Sequence, residues 1–196
     1  MAKRTVRSAT LAGLGFLLTI ALLPEAAGTG PSSTQTGRPT EGLAAWEKIA
    51  TVLQHPRCLN CHQEDSPLQG DMRRPHIPHV LRGTDGHGVS AMRCGNCHNQ
   101  TGNNPTSGTP GAPHWALAPT SMLWQGLSSR DLCRQLKDPA RNGNRSPQAI
   151  IEHMETDPLV GWGWDPGPGL EPVPIPRQEF AGLMKVWVAG GTPCPR

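Results

Sequence analysis

Apolar residues in this chain fall into a few short stripes separated by long stretches with no period. The first stripe, Ala9 to Leu23, runs fifteen residues without a charge, after Lys3, Arg4 and Arg7 and before Pro24 and the small residues Ala26, Ala27 and Gly28. This three-part pattern predicts a secretory signal over residues 1–28. The run is shorter than the roughly 20 residues a spanning helix prefers, so a membrane is expected as a partner only if the signal stays uncleaved. No Cys follows it, which argues against a lipid anchor. The sequence GPSSTQTGRPT then has no apolar period, and a flexible linker is expected over residues 29–41.

Helical periodicity begins with Gly42 to Gln54, where Leu43, Trp46, Ile49, Ala50 and Leu53 share one face. Ser128-Ser129-Arg130-Asp131 has the form of a capping box and opens a short helix carrying Leu132, Cys133 and Leu136, which ends before Asp138-Pro139. Ser146-Pro147 opens another, which places Ile150, Ile151 and Met154 together and stops at Asp157-Pro158. From Arg177 to Ala189, Phe180, Leu183, Met184, Trp187 and Val188 follow the i, i+3, i+4, i+7, i+8 pattern. Residues 63–93, 99–119 and 161–176 are dominated by Pro, Gly and polar residues, and no stretch reads as a strand. The expected fold is mostly α with extensive irregular loops, a single domain over residues 42–196, and no substantial sheet.

Composition changes this picture in one respect. Leu, Ile, Val and Phe number 35 of 196 residues, or 18%, while Gly and Pro number 44. Side chains this sparse cannot build a large core, and a net charge of only +3 is too small for the self-repulsion that keeps chains disordered. A domain organised around something other than protein is the better expectation. The low net charge also argues against nucleic acid as a partner.

Six cysteines in an exported chain would ordinarily suggest a disulfide framework. Four of them instead form Cys58-Leu59-Asn60-Cys61-His62 and Cys94-Gly95-Asn96-Cys97-His98, two complete C-x-x-C-H motifs. This is the attachment signature of c-type haem. The two thiols add across two vinyl groups, forming S–C bonds, and the adjacent His is carried to the iron as proximal ligand. Cys58, Cys61 and His62 are expected to hold one haem, and Cys94, Cys97 and His98 a second. The alternative is a zinc site, but 32 residues separate Cys61 from Cys94, longer than the usual ribbon spacing, and zinc needs no His after each pair. Two macrocycles would also supply the missing apolar surface. Cys133 and Cys194 remain, and in an oxidising compartment they are expected to pair as a disulfide, the alternative being two free buried thiols.

A low-spin carrier needs a sixth ligand at each iron. The side chains able to serve are His55, His76, His79, His87, His114, His153, Met72, Met92, Met122 and Met154. His76, midway between the motifs, and His153, on a short helix among apolar neighbours, are the leading distal candidates. His114, Met122 and Met154 come next. His55 lies only three residues before Cys58, a poor distance for its own haem, and His79 and His87 read equally as exposed loop histidines. Trp115, Trp124, Trp162 and Trp164 are expected to pack on haem edges or to form a docking surface for a redox partner. Arg73-Arg74 and Arg141 to Arg145 are expected to be solvated or to pair with propionates.

The segments HPRCLNCH, PLQGD, RGTDGHG, MRCGNCH, PGAPHWALAP, LKDPARNG and HMETDPLVGWGWDPGPG, with the closing helix, resemble a family of small exported proteins labelled isoquinoline 1-oxidoreductase subunits. The resemblance covers about residues 43–196. It implies an accessory electron-acceptor subunit, passing electrons from a partner containing molybdopterin and iron-sulfur groups. No iron-sulfur pattern is present in this chain, so catalysis would reside in that partner.

The leading expectation is therefore a periplasmic dihaem c-type cytochrome that transfers electrons and is not itself an enzyme. The rival is a small haem enzyme of peroxidase or reductase type with one open iron, although a familiar dihaem peroxidase is considerably longer than this domain. A haem-based sensor is a third possibility, but the chain has no signalling segment.

Overall fold

The computed structural model describes residues 39–196, which all fall within one compact unit. The signal expected at residues 1–28 and most of the linker expected at 29–41 lie outside the described residues. The linker is nevertheless shorter at its far end than the sequence pattern suggests, because Pro39 and Thr40 already belong to the first helix, α1 (Pro39–Leu53). Pro39 stands at the helix start, where its missing N–H costs nothing.

Five further helices follow: α2 (Pro56–Leu59), α3 (Ser129–Lys137), α4 (Pro147–Thr156), α5 (Pro158–Gly161) and α6 (Arg177–Ala189). The boundaries of α3, α4 and α6 agree with the sequence pattern, and local capping explains the first two. Ser128 Oγ accepts a hydrogen bond from the Asp131 N–H at 3.1 Å, and Ser146 Oγ accepts one from Ala149 at 3.2 Å. Asp157 ends α4 and caps α5, its carboxylate accepting from the N–H groups of Leu159 and Val160.

Two expectations about the loops need correction. A two-residue antiparallel ladder pairs β1 (Leu68–Gln69) with β2 (Arg74–Pro75), in a region where no strand is predicted. Strands of two residues are too short to show alternation, so sequence periodicity cannot find them. Trp162–Trp164 forms a 3₁₀ turn directly after α5, inside a segment read as wholly irregular.

The core lies where α1 and α6 pack together, with α3 and α4 closing around them. Trp46 and Trp187 are fully buried at its centre, with ring centroids 5.2 Å apart. Both indole N–H groups are satisfied: Trp46 donates to Ser129 Oγ at 3.0 Å and Trp187 to the Pro193 carbonyl at 2.9 Å. Gly42 allows α1 to meet the C-terminal segment closely, since a Cβ there would lie 2.9 Å from Pro193 Cγ. A disulfide joins Cys133 of α3 to Cys194, tying the C-terminus to the middle of the chain. Helix α4 is fixed to α6 by Lys185 and Glu155 at 2.6 Å. Arg177 adds hydrogen bonds to the carbonyls of Met154 and Asp157, both at 2.8 Å.

None of the described helices is long and apolar enough to cross a membrane. The long loops are held by side chains that reach distant carbonyls. Arg82 is the main example, donating to Glu64 at 2.6 Å, to Ala118 at 2.7 Å and to the Gln63 carbonyl.

Candidate functional site

Helix α2 carries the first motif. His55 is its N-cap, its Nδ1 accepting from the Arg57 N–H at 3.3 Å, and Pro56 occupies the first helical position. One turn of helix follows, with Leu59 N–H bonded to the His55 carbonyl and Asn60 N–H to that of Pro56. Cys58, Cys61 and His62 thus emerge on one wall of a cavity. The second motif is built the same way on a smaller scale, as a 3₁₀ turn over Cys94–Asn96 closed by Cys97 N–H and His98 N–H on the Cys94 carbonyl.

The cavity beside the first motif is also lined by Leu53, Met154, Leu159 and Val160 and by the indoles of Trp115, Trp124, Trp162 and Trp164. His153 lines it too. The lining is predominantly apolar with a few convergent polar groups, the usual character of a cofactor site.

Each motif histidine is oriented in the same manner. His62 Nδ1 lies 2.7 Å from the Met122 carbonyl oxygen, and His98 Nδ1 lies 2.7 Å from that of Pro110. Only a protonated Nδ1 can donate to a carbonyl, so the neutral ring in each case keeps its lone pair on Nε2. Burial disfavours the charged form of both rings, lowering His62 to about 4 and lowering His98 as well. The loop carrying Met122 is pinned to the motif by Ala118 N–H on the Cys61 carbonyl and Trp124 N–H on that of His62. The Pro110 loop is pinned by Asn103, whose Oδ1 accepts from the Gly111 N–H at 2.9 Å.

Burial also pushes the Cys58 thiol up to about 12 and Cys61 to about 11, and raises Cys94. Among the described residues no group of three or more His, Cys, Asp or Glu is arranged to hold a free metal ion.

The remaining candidates separate clearly. His76 is brought to the second motif, its ring centroid 6.0 Å from that of His98. His76 Nδ1 lies 2.8 Å from the Pro78 carbonyl, so its Nε2 is also free. His153 is brought to the first motif, with its Nδ1 3.3 Å from Asp157 Oδ2. His55 is engaged as a helix cap, His79 and His114 are exposed, and His87 Nδ1 lies 3.2 Å from the Trp115 carbonyl. Met72 is 88% exposed and Met92 half-buried. Met154 lines the first cavity, and Met122 does so while its carbonyl holds His62.

Of the four loop tryptophans Trp124 is buried, while Trp115, Trp162 and Trp164 are half-buried. Trp124 is buried and stacks on His62 at 3.4 Å, and Trp115 stacks on His98 at 4.5 Å, with interplanar angles of 9° in both pairs. Arg73 and Arg74 are exposed. Arg141 bonds Gln135, and Arg145 lines the first cavity. Arg57, which sequence reasoning passed over, also lines that cavity. Its side chain is 1% exposed and paired with Asp71, and its Nε is one of two buried polar side-chain atoms without a partner among the described residues, the other being Asn60 Oδ1. An Arg next to a C-x-x-C motif is the only signal that could have drawn attention to it.

No family, characterised protein or solved structure matches this chain in sequence or fold comparisons.

Proposed function

We propose that this chain is a periplasmic dihaem c-type cytochrome, a carrier of electrons and not an enzyme. The observation that carries the proposal is the matched orientation of His62 and His98. In both C-x-x-C-H motifs a loop carbonyl accepts a hydrogen bond from Nδ1–H, with N and O 2.7 Å apart, and leaves Nε2 available as a single axial donor. One axial nitrogen per site suffices where a porphyrin provides the other four, so no cluster of protein ligands is required.

The surroundings fit the group. Cys58 and Cys61 open with His62 onto an apolar, Trp-lined cavity, whose lining also includes Arg57. Bound haem would supply a reversible one-electron couple at each iron. The protein's contribution is to hold it by two thioethers, orient the axial imidazoles and exclude water. His153 lines the cavity of the first motif and the His76 ring lies 6.0 Å from that of His98, which supports a sixth ligand at each iron and so electron transfer over a reaction at an open iron.

The accessory role in an oxidoreductase, with a molybdopterin-containing catalytic subunit as partner, rests on the family resemblance of the motif segments. The test is intact mass together with oxidised and reduced optical spectra of protein matured in a periplasm. Two added haems, both low-spin, are the expected result. A mature protein with zinc and no haem would overturn the proposal, and one high-spin iron with turnover of peroxide or nitrite would replace the carrier with an enzyme.

A further inference from the structure

Trp115 belongs to both motif sites. Its ring stacks on His98, with centroids 4.5 Å apart and planes within 9°, and meets Trp162 edge-on at 4.9 Å and 81°. It also lines the cavity that holds Cys58, Cys61 and His62, as Trp162 does. One indole therefore touches the axial histidine of the second motif and forms part of the wall of the first.

The backbone around Trp115 leaves it little freedom. His114 N–H donates to Gln100 at 2.8 Å, Leu117 N–H to the Gly86 carbonyl at 2.9 Å, and the Trp115 carbonyl faces His87 Nδ1. Asn103 ties the two sides together, because its Oδ1 accepts from the Trp162 indole at 2.9 Å as well as from Gly111, the residue after the carbonyl that orients His98. An aromatic ring fixed from both sides is a rigid contact between two centres, where loosely held side chains or water would leave a poorly coupled gap.

We infer that Trp115 is the positioning residue that couples the two histidine sites, serving as the packed aromatic path for one-electron exchange between them. In that exchange the reduced iron of one site loses one electron and the oxidised iron of the other gains it; no bond forms or breaks and no proton moves. The inference rests on the dihaem reading, and the experiment separates the two. Intact mass first establishes two haems in the wild type, Trp115→Phe and Trp115→Leu. Exchange between the centres is then followed optically after photoreduction of one of them.

Trp115→Leu should slow the exchange at least about tenfold with both irons still low-spin, whereas Trp115→Phe, which keeps a ring over His98, should retain most of the wild-type rate. Wild-type exchange in a fully loaded Trp115→Leu protein overturns the inference, as does an equal loss in the Phe and Leu variants. Should Trp115→Leu fail to mature with two haems, Trp162→Leu, which removes the other end of the same contact, takes its place with the same expected slowing. A wild type with fewer than two haems removes the dihaem reading itself, and the inference with it.

Discussion

His76 and His98 come from loops more than twenty residues apart and face one another with ring centroids separated by 6.0 Å. Each ring has its Nδ1 against a proline carbonyl, Pro78 for His76 and Pro110 for His98, so both free nitrogens are of the kind that ligates. Replacing His76 with Ala should convert one iron to high spin and leave the other low-spin, as read by electron paramagnetic resonance. His153→Ala should do the same at the other iron. A low-spin spectrum unchanged in either variant would remove that histidine from the ligand set.

The Pro110 carbonyl can reach His98 because Gly111 lets two backbones close together. A Cβ at Gly111 would meet the carbonyl of Gly102 and lie 2.6 Å from that of Asn99. Gly111→Ala should therefore push the loop outward, at a cost of about 1–3 kcal/mol for the overpacking, and release the His98 tether. The expected product is protein that retains the first haem and carries the second only in part, which intact mass would show as a mixture of one- and two-haem species. Full loading at both sites would mean that the tether is dispensable for maturation.

What was legible in the sequence follows from range. Ser128, Ser146 and Asp157 act within three residues of themselves, so the ends of α3 and α4 could be placed from the chain alone. Cys58, Cys61 and His62 are likewise local, as are Cys94, Cys97 and His98. The carbonyls of Met122 and Pro110 that orient the two histidines left no mark, because every residue has a carbonyl and its use depends on where a loop returns. Arg82 was illegible for the same reason: its three acceptors are backbone atoms 18 to 36 residues away.

The disulfide should matter to the fold more than to the sites. Cys133 and Cys194 are 61 residues apart, and closing a loop of that size stabilises by about 4 kcal/mol in the chain-entropy model. Replacing both with Ser should lower the denaturation midpoint accordingly while both haems remain attached. An unchanged midpoint would show that the packing of α1, α3 and α6 alone fixes the C-terminus.

Asp85 supplies a pH dependence. Its carboxylate accepts two hydrogen bonds from Arg93, at 2.8 and 3.0 Å, and a third from the His87 N–H. Arg93 first, then the backbone bond, holds it down to about 2 from an ordinary 3.8. A carboxyl depressed in the folded state stabilises above its unfolded value and loses that contribution as pH falls through the folded one. The 82–94 loop should therefore keep its amide protection at pH 5 and lose part of it between about pH 4 and 2. Hydrogen exchange at the Cys94 amide, bonded to the His87 carbonyl, is the readout, and Asp85→Asn should abolish the transition.

Arg57 should set the potential of the first centre. It is held from three sides, by Asp71, by its guanidinium lying 5.6 Å from the Trp162 ring centroid, and by the helix from which it projects, and the residue lines the first cavity. A fixed positive charge beside a redox centre disfavours the more positive, oxidised form, so its removal should make that centre easier to oxidise. Because Asp71 neutralises part of the charge, the net effect of Arg57→Gln is set at about 1 kcal/mol, roughly 40 mV for one electron, toward lower potential. Asp71→Asn leaves the buried guanidinium uncompensated, and should shift the same centre the opposite way while reducing stability. The second centre should hold its potential in both variants. Equal shifts at both centres would show that Arg57 acts on the whole domain rather than on the cavity it lines.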